Sequence, residues 1–186
     1  EHLEEKKTLQ DIMFLGCLNP KSGSFVIDLR LSRHFTMVAL GTPDKEILNT
    51  IYHQVLQNHL KNFDSTFNNY AKKVVDATSA VFNGIALSAQ FMPTARKFHY
   101  QFNLRDFNNI VQNIMQIEHS PYSKNPLGLV RMWAHECQRV YLDRLILPED
   151  VTKFQEFMAN GMKEFSDFKP DQILAEPLIF TNFISV

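Results

Sequence analysis

Asn19, Arg30, Arg33 and Arg105 are the side chains in this 186-residue chain whose type and setting suit work on a phosphate. Asn19 follows Ile12-Met13-Phe14-Leu15-Gly16-Cys17-Leu18, a continuous apolar run of the kind found in strands buried on both faces. Ligands of open α/β sheets bind beyond the carboxyl ends of strands, and an amide that both donates and accepts can orient a water there. Asn19-Pro20 equally opens a turn, which on pattern alone is the simpler account. Arg30 and Arg33 stand on a short stretch before a second apolar run, with His34 beside them. A guanidinium is always charged, and its rigid fork of donors matches phosphate. Supplied by one module to its neighbour's site, it stabilises transition-state charge. A solvated surface pair is the plain alternative. Arg105 follows Asn103-Leu104 at the start of a predicted helix, where helix terminus and guanidinium both favour an anion. Its plain alternative is a surface pair with Asp106. Arg96, Lys97 and His99 read as a solvated basic face.

Several chemistries are excluded. The six glycines stand singly, so there is no G-x-x-x-x-G-K-[ST] or G-x-G-x-x-G loop to cradle a phosphate. No G-x-S-x-G nucleophile elbow occurs. His135-Glu136 begins a zinc-helix pattern, but Arg139 stands where its second histidine belongs. His53, His59 and His119 show no ligand spacing, and no metal site is expected. Cys17 and Cys137 are too few for a disulfide framework and point to a reducing compartment; Cys17 is expected to pack within its strand. A net charge of -1 removes the broad basic footprint of a nucleic-acid binder. The aromatics fall at helical spacing and read as core. No run is apolar and long enough to cross a bilayer, and the first residues do not resemble a signal peptide. The chain does not begin with Met, which leads us to expect a segment of a longer polypeptide.

The elements that must position these side chains are of two kinds. Residues 12–18 and 35–40 are predicted as adjacent parallel strands, joined through a short helix within 28–33. Two strands do not make a stable sheet alone, so further strands are expected upstream. From Pro43 the pattern turns helical. Asp44 caps a helix with the stripe Ile47, Leu48, Ile51, Tyr52, Val55, Leu56 and His59 or Leu60. A longer helix is predicted over 65–87, and another after Asn103 with Phe107, Ile110, Val111, Ile114 and Ile117. Pro126 and Pro148 open two more. Residues 165–186, punctuated by proline, read as an extended arm leaving the bundle.

Four stretches in order resemble a known family. Leu18-Asn19-Pro20-Lys21-Ser22-Gly23-Ser24-Phe25 and Leu29-Arg30-Leu31-Ser32-Arg33-His34-Phe35 are similar to the second half of an AAA+ large subdomain in dynein heavy chains. Residues 97–107, Lys-Phe-His-Tyr-Gln-Phe-Asn-Leu-Arg-Asp-Phe, resemble the small helical subdomain. So do residues 129–136, Leu-Val-Arg-Met-Trp-Ala-His-Glu, with Arg139-Val140-Tyr141 after them. The likeness is to the third AAA+ module, in axonemal wording, and covers the chain from about Asp11 onward.

The resemblance implies an α/β remnant of the large subdomain (1–43), an all-α small subdomain (44–165) and a linker toward the next module (166–186). It implies that Asn19 is sensor one, positioning the attacking water. It makes Arg33, or less readily Arg30, the arginine finger aimed at the preceding module's nucleotide, and Arg105 the sensor two that reaches its own γ-phosphate. Leu29 stands where the family often has proline, which loosens the choice between Arg30 and Arg33. Implied cofactors are ATP or ADP with Mg²⁺ in the intact parent, with none bound tightly by the segment alone. Implied partners are neighbouring AAA+ modules, microtubules and dynein intermediate and light chains, with no nucleic acid or membrane. The implied location is cytoplasmic and cytoskeletal, in the axoneme of a cilium or flagellum. A non-catalytic helical scaffold of AAA+ shape is the alternative. Without a P-loop, paired acids or a Mg²⁺ ligand, the isolated segment is expected to release phosphate from Mg-ATP at the buffer rate. Turnover that survives repurification and is lost in Arg105→Ala contradicts this.

Overall fold

The computed structural model describes residues 8, 10–18, 27–41, 43–117 and 125–181. The chain divides into two units, Glu1–Gly41 and Thr42–Val186. The described part of the first contains one short helix, α1 (Leu29–Ser32), started by Asp28, whose carboxylate accepts from the Arg30 N–H at 2.8 Å. Among the described residues neither apolar run is a strand. Met13, Leu15 and Leu40 are more than nine-tenths exposed, and Cys17 is exposed rather than packed. A run that is apolar on both faces depends on flanking strands and covering helices, and a lone two-stranded ladder supplies neither.

The second unit is helical: α2 (Lys45–Leu60), α3 (Tyr70–Ala86), α4 (Leu104–Ile114), α5 (Pro126–Val140), α6 (Pro148–Met162) and α7 (Pro170–Ile173). Asp44 caps α2 through the Ile47 N–H at 2.9 Å, and Asn125 caps α5 ahead of Pro126. The segment predicted as one helix over 65–87 splits into a 3₁₀ turn (Ser65–Phe67) and α3. α3 is buried nearly all round, from Tyr70 to Ile85, which marks a central helix rather than a surface one. It packs chiefly on α6 and α2, while α4 packs on α5. Of the expected α2 stripe, Leu48, Leu56 and Leu60 are buried, but Ile47, Ile51 and Val55 are about half exposed.

The core is aromatic, as the spacing requires: Trp133, Tyr100, Tyr141, Phe67, Phe107, Phe154 and Phe165 are all fully buried. Each such side chain contributes about 1.5–3 kcal/mol on burial. The Trp133 indole N–H finds the Thr78 hydroxyl at 2.9 Å, and Thr78 donates to the Val74 carbonyl at 2.7 Å, so neither polar group is stranded.

The expected arm is instead packed on the bundle as far as the description runs. Phe165 and Ile173 are wholly buried. Arg131 donates to the Ala175 and Pro177 carbonyls, both at 2.8 Å, and Lys73 and Tyr70 hold Asp167 at 2.6 and 3.0 Å. Proline ended the helical pattern here without ending the burial.

Close approach of α3 and α6 rests on glycine. A Cβ on Gly161 would stand 2.9 Å from Val81 Cγ2, 3.1 Å from the Ala77 carbonyl oxygen and 3.3 Å from the Trp133 ring. Glycine to alanine inside a helix ordinarily stabilises by about 1 kcal/mol. At Gly161 the sign reverses. Gly161→Ala is expected to lower unfolding free energy by about 1–3 kcal/mol in urea titration, through overpacking. Gly41→Ala, with open space around its Cβ, is expected to change little. Equal behaviour of the two variants would show that α3 and α6 do not meet as described.

Candidate functional site

The start of α4 is built by Asn103, Arg105 and Asp106. Asn103 is extended, and its side-chain oxygen accepts from the Arg105 N–H at 2.9 Å. Asp106 reaches back to accept from the Asn103 N–H, also at 2.9 Å, which completes a capping box. Arg105 lies between them in the first turn, exposed, and its guanidinium makes no hydrogen bond or ion pair among the described residues. A cation there opposes the helix dipole at a cost of about 0.3–1 kcal/mol, so helix stability is not the reason for it.

The expected alternative, a pair with Asp106, does not form. Asp106 is buried and its Oδ1 takes Arg144 Nη1 at 2.9 Å. Arg144 sits in the 3₁₀ turn Leu142–Arg144 that follows α5. Its Nη2 donates to the Gln101 and His99 carbonyls at 3.0 and 3.3 Å, and its guanidinium carbon lies 4.6 Å from the Phe102 ring centre.

The segment leading into α4 is tied down elsewhere by groups expected to be solvated. Lys97 donates to Asp150 at 3.1 Å and to the Gln90 carbonyl at 2.7 Å, and His99 Nε2 donates to the Arg144 carbonyl at 3.0 Å. Asp150 is fully buried in the first turn of α6 and also takes the Gln90 amide at 2.8 Å and the Tyr100 hydroxyl at 3.0 Å. Tyr100 in turn accepts from the Ile146 N–H at 2.9 Å. Burial pushes the Asp150 carboxyl up, but the bonds from Gln90, Lys97 and Tyr100 and the Lys97 charge outweigh it. The carboxyl stands below its ordinary range.

A second buried carboxylate joins α4 to α5. Glu136 accepts from Arg139 Nη2 at 2.7 Å and from Asn113 Nδ2 at 2.8 Å. The residue that breaks the zinc-helix pattern is thus the ion-pair partner of its glutamate. Among the described residues no group of three or more His, Cys, Asp or Glu is placed to hold a metal. Cys137 is buried, and burial with the Glu136 charge pushes its thiol well up, so it is inert.

Arg30 and Arg33 lie exposed on and just after α1, in the first unit; Arg33 Nε donates to His34 Nε2 at 3.1 Å. Asn19 and His119 lie outside the described residues. The structure therefore places Arg105 within a worked-out support and leaves Arg30 and Arg33 on a short exposed turn. Sequence reasoning missed Arg144, Asp150 and Glu136. Only the capping box carried a local signal, an acidic residue three positions after Asn103.

Residues 74–176 match the AAA+ lid domain, more than half of the chain. The chain belongs to the AAA+ lid family. Its relatives extend the match over almost its whole length. It is 39% identical over 184 residues to the ciliary dynein beta chain of Heliocidaris crassispina and 41% identical over 184 residues to dynein axonemal heavy chain 17 of Homo sapiens, each alignment covering 96% of this chain. It is 37% identical over 182 residues, 97% of this chain, to the flagellar outer arm dynein beta chain of Chlamydomonas reinhardtii. The chain spans 4% of the length of each of these relatives. Together these likenesses mark it as an AAA+ segment of dynein heavy-chain type. The lid match takes in Arg105 and its whole support, from Gln90 to Asp150.

The Asp150 network predicts how this lid responds to acid. A carboxyl whose folded pKa is depressed contributes stability that is present above the unfolded value near 3.9 and is lost as pH falls through the folded value. Asp150→Asn takes away the buried counter-ion of Lys97 and is expected to cost about 3 kcal/mol at neutral pH. That gap should stay constant above about pH 5 and narrow as pH falls below about 4 in denaturant titrations of both proteins. A gap independent of pH down to about 2 would show that the ionised carboxylate is not what holds the network.

Proposed function

We propose that the chain forms the end of the large subdomain and the small helical subdomain of the third AAA+ module in an axonemal dynein heavy chain, and that it senses nucleotide there. The observation that carries this reading is the Arg105 guanidinium, without a partner among the described residues, at a capped helix N-terminus beside an Asp106 already committed to Arg144. Arg105 acts as sensor two, in cis, on the γ-phosphate. Its fork of donors fits a phosphate oxygen. Asn19 acts as sensor one, and Arg33, with Arg30 as the alternative, is the finger offered in trans to the preceding module. The two apolar runs of residues 12–18 and 35–40 become parallel strands when the rest of the large subdomain flanks them. That remainder supplies the phosphate cradle and the Mg²⁺ ligands for bound ATP or ADP.

The parent then couples ATP binding and hydrolysis to movement along microtubules in a cilium or flagellum. Its neighbouring modules and its intermediate and light chains are partners. Residues 166–186 serve as the connection to the next module. A second reading, a non-catalytic scaffold of AAA+ shape, draws on the half-exposed stripe Ile47, Ile51 and Val55 of α2, a face on which a partner could dock.

The two readings part in the intact heavy chain. Under the first, Arg105→Ala lowers ATP occupancy of this module's own pocket, and Arg33→Ala changes only the preceding one. Losing a trans-acting arginine can cost a factor of about 10³ in strongly hydrolytic sites. Nucleotide occupancy of each pocket, with motor velocity alongside, checks the assignment. Native occupancy of both pockets in both variants favours the scaffold. Both substitutions acting on one pocket defeats the division into cis and trans.

A further inference from the structure

We propose that Arg144 is a positioning residue for Arg105, keeping its guanidinium aimed outward and free of Asp106. The inference rests on the assignment of Arg105 to the nucleotide.

One guanidinium joins both sides of the α4 start. Nη1 holds the Asp106 carboxylate in the first turn, and Nη2 holds the Gln101 and His99 carbonyls of the irregular segment that enters it. His99 closes the ring by donating to the Arg144 carbonyl at 3.0 Å. Stacking over Phe102 fixes the plane of the fork. The direction of α4 at Arg105 is therefore set by a turn 38 residues further along the chain.

A second consequence is electrostatic. Arg105 and Asp106 are adjacent, so the Asp106 carboxylate stands one residue from the sensing cation. With Oδ2 on the Asn103 N–H and Oδ1 on Arg144, both oxygens are occupied. Without Arg144, Oδ1 is released as an acceptor, and Arg105 is the nearest guanidinium in sequence. Its pairing with Asp106 then competes with the phosphate. A lysine at 144 supplies the charge but cannot reach the carboxylate and two carbonyls at once.

The test is a double-mutant cycle in the intact heavy chain. ATP affinity of this module's pocket is measured for wild type, Arg105→Ala, Arg144→Ala and the double variant, with thermal unfolding followed in parallel. Arg105→Ala is expected to weaken binding about tenfold, the worth of a hydrogen bond to a charged group. Arg144→Ala is expected to weaken it roughly fivefold, within the range of couplings between contacting residues. The double variant should bind no more weakly than Arg105→Ala alone, because Arg144 acts only through Arg105. If Arg144→Ala exacts the same fold-loss with and without Arg105, its role is structural only and the proposal fails while Arg105 stands. Native affinity in Arg144→Ala also overturns it. If Arg105→Ala leaves affinity unchanged, the assignment of Arg105 falls and the proposal with it. Should Arg144→Ala not fold, Arg144→Lys takes its place in the same cycle and is judged by the same coupling.

Discussion

Asp106 has two carboxylate oxygens and uses them on different elements. One accepts the N–H of Asn103 and starts α4; the other accepts Arg144, which arrives from beyond α5. A buried carboxylate is costly unless both its charge and its lone pairs are met, so the entry segment, α4 and the turn after α5 must come to one place. The site depends on this. Among the described residues Arg105 is unpaired at a helix N-terminus, and its neighbouring acid is already satisfied.

The same logic recurs one layer deeper. Asp150 gathers Gln90, Lys97 and Tyr100 at the start of α6, and Glu136 binds Asn113 and Arg139 between α4 and α5. These carboxylates are held within an apolar frame centred on α3, where Gly161 lets α6 approach and Thr78 receives the Trp133 indole. Buried polar networks are costly if half satisfied, and these link elements far apart in sequence.

Helices α2, α4, α5 and α6 were legible because they carried their own punctuation, whereas α3 has no side-chain cap and its start was less well marked. Asp44, Asn103 and Asn125 cap with side-chain bonds, and Pro126 and Pro148 stand at the first turns that proline favours. The apolar runs around Met13 and Met37 were not realised as strands among the described residues, since a strand's stability lies in partners outside its own pattern. The segment after Phe165 was misread because Pro170 and Pro177 signal the end of a helix but not the end of packing; Arg131 catches the backbone carbonyls there instead. Arg105 is named from the sequence alone, but its support is invisible there. Lys97 and Asp150 are 53 residues apart, and Arg144 and Asp106 are 38 apart, so no local window contains either pair.

The central claim is that Arg105 meets the γ-phosphate of this module's own nucleotide. A structure of the intact heavy chain with a non-hydrolysable ATP analogue in that pocket tests it directly. A guanidinium nitrogen of Arg105 is expected about 2.7–2.9 Å from a γ-phosphate oxygen, with Asp106 still paired to Arg144. An Arg105 that points to solvent or pairs with Asp106, while another side chain meets the γ-phosphate, would contradict the account.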